Sequence, residues 1–84
     1  MNRPTQDVQM AAARRSSIHD DLMRALALSK ALHEESPGHS GPVLDKIKNA
    51  IGEVRTDIAE LCDAYVAATA DLRALRKRGK PAGQ

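Results

Sequence analysis

Three histidines, a single cysteine, a run of arginines and lysines and one adjacent arginine pair are the side chains of this 84-residue chain that could do chemistry. A metal site needs ligands converging on one face, such as two histidines at i, i+4 or the Glu-x-x-His of di-iron bundles. His19, His33 and His39 supply neither spacing. His19 stands beside Asp20 and Asp21, and His33 beside Glu34 and Glu35, but adjacent helical residues point apart. All three read as surface or loop histidines, and no metal or cofactor is expected. Nucleophilic catalysis needs a Ser, Cys or Lys set against a base that a third group orients. Spacing forces neither an acid nor a histidine onto Cys62, which reads as a small semi-buried thiol, with a redox or dimer-crosslinking role as the alternative. Gly38 and Gly41 precede a helix start but lack the Gly-Lys-Ser/Thr of a phosphate loop. No enzyme is expected from these residues.

The charges are more informative. Arg73, Arg76, Lys77, Arg78 and Lys80 fall in one acid-free run, while the whole chain carries a formal charge of only +2, so the remainder is net acidic. A basic helix end running into a tail can grip phosphate. Cations at a helix C-terminus also complement the macrodipole, so the run has a structural explanation too. Tyr65 is the only aromatic residue, which leaves no stacking platform for single strands, and no tri-helical pattern offers a recognition helix for duplex DNA. Arg14 and Arg15, with Tyr65 folded back opposite, form the best candidate pocket for an anionic or protein ligand; a solvated arginine pair is the alternative.

The elements that position these groups are marked off by Pro and Gly. These residues fall at Pro4, Pro37-Gly38, Gly41-Pro42, Gly79, Pro81 and Gly83, with only Gly52 elsewhere. The two long stretches between them are rich in Ala, Leu, Glu, Lys and Arg, and no alternating strand pattern occurs. The second stretch carries an unbroken a/d repeat: Leu44, Ile47, Ile51, Val54, Ile58, Leu61, Tyr65, Ala68, Leu72 and Leu75. A 3.5-residue period sustained this long predicts a helix packed lengthwise against a partner. Pro42 suits its first turn, and Gly79 with Pro81 suits its end. The first stretch shows an amphipathic stripe of Ile18, Leu22, Ala25, Leu26, Ser29 and Leu32, which Val8 and Ala11 extend backwards.

The expected fold is all-α: an antiparallel two-helix hairpin, coiled-coil-like. One helix spans residues 5–35, continuous or broken near 16–17. A turn follows over 36–41, then a second helix over 42–78, with residues 1–4 and 79–84 as flexible ends. A connection this short makes the helices antiparallel neighbours and puts Arg15 across from Tyr65. A hairpin buries one stripe per helix and leaves Met23, Leu28, Val43 and Val66 partly wet. Small scaffolds in that position commonly associate, and a homodimer forming a four-helix bundle is expected, with Ile18, Leu22, Leu26 and Leu32 joining the a/d series in its seam.

This outline resembles small regulatory helical hairpins such as plasmid copy-control proteins that dimerise into four-helix bundles, a likeness of architecture without a residue motif. Leu44-Asp45-Lys46-Ile47-Lys48-Asn49-Ala50-Ile51, followed by Ile58-Ala59, is similar in pattern to the second helix of phage sponge proteins that sequester cyclic oligonucleotide signals, although the tryptophan of that helix has no counterpart here.

The function expected is a small non-catalytic adaptor or inhibitor of another protein, of the kind phages and mobile elements encode, working through exposed helix faces. Contacts are expected from Arg14, Arg15, Arg73, Arg76, Lys77, Arg78 and Lys80. The alternatives are a nucleic-acid-binding regulator using the basic helix end, and a small-anion or nucleotide sponge at a subunit junction. No apolar run is long enough for a membrane span, and the first residues lack a signal-peptide core, so a cytoplasmic location is expected.

Overall fold

The computed structural model describes residues 3–78. They form two long helices, α1 (Arg3–Glu35) and α2 (Gly41–Arg78), joined by one 3-10 turn at Ser36–Gly38. The helices pack antiparallel along their length into a rod of 64 × 15 × 15 Å. No strand occurs among the described residues. The hairpin expected from the sequence is therefore the fold.

The boundaries shift slightly. α1 runs unbroken through Ser16 and Ser17, so the version broken near 16–17 does not hold. Its start takes in Arg3 and Pro4, two residues that the sequence reading assigned to a flexible end. Proline is tolerated there because the first N–H groups of a helix lack an intrahelical acceptor. α2 starts at Gly41 rather than Pro42. Residues 1–2 and 79–84, among them Lys80, lie outside the described residues.

Local chemistry sets the turn. Ser36 Oγ donates to the Leu32 carbonyl at 3.0 Å, and the His39 backbone N–H donates to the Ser36 carbonyl at 3.2 Å. His39 Nε2 donates to the Glu35 carboxylate at 2.8 Å, and His33 Nδ1 to the Ser29 carbonyl at 2.8 Å. Two of the three histidines are thus used to finish α1. Gly41 has φ +63°, in the left-handed region that glycine enters without a Cβ penalty, and Pro42 follows with φ already suited to a first helical turn.

All ten a/d residues of α2 turn towards α1. Val54, Ala68 and Leu72 are buried, at 7%, 5% and 2% exposure, and the other seven are half-buried. α1 answers with the same 3–4 spacing, Val8, Ala11, Arg15, Ile18, Leu22, Ala25, Ser29 and Leu32, and Ser36 continues it into the turn; all are half-buried. Leu26 does not belong to this row. Within the hairpin it is 43% exposed, because Ala25 takes the seam position and the next residue is turned about 100° away. Cys62 is likewise exposed rather than semi-buried.

Candidate interaction surface

The seam has one charged member, Arg15, and the surrounding residues hold it in place. Its Nε donates to Thr69 Oγ1 at 2.9 Å, a bond that crosses from α1 to α2. Its guanidinium lies over the Tyr65 ring, 4.9 Å from the centroid. A cation over an aromatic face gains about 0.5–1 kcal/mol where solvent still reaches it. His19, one turn along α1 from Arg15, brings its ring to 6.0 Å from that of Tyr65 at an interplanar angle of 48°. Arg15 is therefore across from Tyr65, as the fold-back required.

Arg14 does not join it. The two arginines diverge to opposite sides of the rod, and their neighbours show this. Arg14 lines a groove of about 500 Å³ with Ala11, Ala68, Asp71, Ala74, Leu75 and Arg78. Arg15 and Tyr65 are shared by two smaller clefts. One, of about 300 Å³, adds Val66, Thr69, Ala70 and Arg73; the other, of about 240 Å³, adds Ala12, Ser16, His19, Leu72 and Arg76. The basic run of α2 is divided in the same way. Arg73 and Arg76 turn towards Arg15, Arg78 turns towards Arg14, and Lys77 sits on the outer face of the helix. The pocket expected around Arg14 and Arg15 together is really two surfaces.

These surfaces extend along the rod. In this antiparallel pair, positions just after a seam residue lie on the same side of the rod in both helices, the side of the Arg15 clefts, and positions just before a seam residue share the other. The side containing the Arg15 clefts carries Lys30 from α1 and Lys48, Arg55, Arg73 and Arg76 from α2, all exposed, against Asp45 and, at its margin, Asp20, whose carboxylate is 3.5 Å from His19 Nδ1. The side containing the Arg14 groove mixes signs: Asp7, Asp21, Glu35, Glu53, Asp57, Glu60 and Asp71 are interspersed with Arg14, Arg24, Lys46 and Arg78. The i, i+3 pair of Asp21 and Arg24, at 3.2 Å, belongs to this mixed flank. Among the described residues, none of Arg15, Arg73 and Arg76 pairs with a carboxylate.

Each flank also exposes apolar side chains. Met23 (52%), Leu26 (43%) and Val66 (67%) lie on the Arg15 flank, with exposed Ala59 and Cys62 between them; Met10, Leu28 and Val43 lie on the Arg14 flank. His19 and Thr69 belong to the Arg15 surface and were not singled out as contacts from sequence. Their signal was the i, i+4 spacing from Arg15 and Tyr65, which gains meaning only once the fold-back register is known.

The described residues gather no group of three His, Cys, Asp or Glu side chains able to hold a metal ion. No helix among them is long and apolar enough to cross a membrane. What the arrangement offers chemically is a fixed guanidinium beside further cations and next to apolar surface, suited to holding an anionic group. No family model, curated protein or solved structure matches the chain.

Proposed function

We propose that this protein is a small non-catalytic regulator, an adaptor or inhibitor, that acts by binding another protein through its helix faces. The observation that carries this reading is the balance of burial. Only Val54, Ala68 and Leu72 are buried hydrophobic residues among those described, while Met10, Met23, Leu26, Leu28, Val43 and Val66 stand 43–67% exposed. Large apolar side chains left on both flanks of so thin a rod are what a helix-packing partner would cover. A second copy is one such partner, and a dimer of hairpins would add two helices to the bundle. The setting proposed for it is that of a cytoplasmic regulator of phage or mobile-element type.

Native mass spectrometry of gently purified protein, in low and then high salt, tests the reading. The expected result is a homodimer or a stoichiometric complex with a second protein, unchanged by salt. Added mass lost at high salt and identified as nucleic acid or nucleotide would replace this reading with one of the anion-binding alternatives. A bare monomer that captures no protein would overturn it.

A further inference from the structure

We propose that the Arg15 flank is the docking surface for an acidic amphipathic helix of a partner protein. The inference rests on the protein-binding reading above and adds which face is used and what it recognises.

Charge complementarity comes first. Arg15, Lys30, Lys48, Arg55, Arg73 and Arg76 line this side against two carboxylates, Asp45 and, at the margin beside His19, Asp20. From Lys48 to Arg76 the row covers about 40 Å at 1.5 Å per residue, the length of a full helix rather than of a small ion. The end of the row beside Arg73 and Arg76 is preorganised. Arg15 is held by Thr69 and by Tyr65, so its charge is aimed without further loss of side-chain freedom on binding.

The apolar residues decide the class of polyanion. Met23, Leu26 and Val66 are interleaved with the cations and stand 43–67% exposed. An acidic amphipathic helix meets both features, placing leucine-like residues on the apolar row and carboxylates on the flanking cations. A nucleic-acid backbone would meet only the cations. The Tyr65 ring already carries Arg15 on one face and has the His19 ring 6.0 Å away, which leaves no open row of rings for successive bases to stack on. A second copy is excluded by the same charges when it approaches through this flank, since like would meet like. Approach through its mixed flank would be a head-to-tail contact, and such contacts close only in rings or run on as filaments.

The test is a titration of the full isotope-labelled chain, followed by NMR. The probes are a synthetic helical peptide of about four heptads with Leu on one face and Glu beside it, the same peptide with Lys for Glu, and single-stranded and duplex oligonucleotides of similar length. The acidic peptide is expected to bind saturably, with shift changes concentrated at Met23, Leu26, Val66, Thr69 and Arg73. The double change Arg73→Glu/Arg76→Glu, at exposed positions outside the seam, should weaken binding about tenfold or more. Arg14→Glu/Arg24→Glu on the other flank should change it by less than about threefold. Equal binding of the Lys peptide, or no saturable binding of the acidic one, overturns the proposal. Tighter binding of an oligonucleotide with a steep salt dependence overturns it in favour of phosphate recognition. A complex with a second, different protein seen by native mass spectrometry that survives Arg73→Glu/Arg76→Glu unchanged would also overturn it, while leaving the protein-binding reading in place.

Discussion

α1 and α2 face each other along the same 3–4 repeat but fill it differently. α2 places a large apolar residue at every seam position except Ala68. α1 alternates, with Val8, Ile18, Leu22 and Leu32 interrupted by Ala11, Arg15, Ala25 and Ser29. Burial is uneven between them: the three buried side chains, Val54, Ala68 and Leu72, all belong to α2. α1 meanwhile keeps Met10, Met23, Leu26 and Leu28 at 43–66% exposure. Among the described residues, α2 thus holds every buried side chain, while α1 carries four of the six large apolar side chains left exposed.

The largest test of that contrast is a pair of leucines. Leu72→Ala should cost about 2–4 kcal/mol, the range for a buried leucine whose site cannot fully collapse. Leu26→Ala, measured by the same circular-dichroism melts at low protein concentration, should cost less than about 1 kcal/mol. Equal costs would mean that Leu26 is covered in an assembly that persists on dilution. Gly41→Ala comes next. It forces a side chain into φ +63° at the residue that sets the entry of α2, and should cost about 1–2 kcal/mol in the same melts.

The remaining changes should run the other way. Arg15→Leu gives α1 an apolar seam residue where it has a charge, and is expected to add about 0.5–2 kcal/mol of stability. A loss instead would show that the Thr69 and Tyr65 contacts outweigh the apolar burial gained. Gly52→Ala is the smallest. A Cβ there meets nothing within 4 Å, and alanine should stabilise the α2 interior by up to about 1 kcal/mol. Size-exclusion with light scattering on the same variant sharpens the result: a shift towards monomer would mean that another chain packs closely at this position.

Much of the hairpin was legible in the sequence because periodicity and chain breakers act locally. The α2 row was readable residue by residue, and Pro37-Gly38 and Gly41-Pro42 located the turn. Leu26 stands outside the hairpin's own row because the 3–4 spacing through Leu22, Ala25 and Ser29 gives that place to others. Arg14 and Arg15 misled the sequence reading. Neighbours in sequence were read as one pocket, yet one step along a helix turns the side chain by about 100°, enough to send them to different flanks. The Arg73–Arg78 run came apart for the same reason.

By itself, the sequence determined that two helices form, where they stop, and which face of α2 is buried, since backbone propensity, turn residues and apolar spacing are properties of short stretches. Tertiary structure decided the rest. The register of α1 against α2 set Arg15 over Tyr65 and within reach of Thr69. It also sorted the charges into one nearly acid-free flank and one mixed flank. That sorting depends on which residues from two distant stretches share a side of the rod, and distance along the chain carries no such information until the chain has folded back on itself.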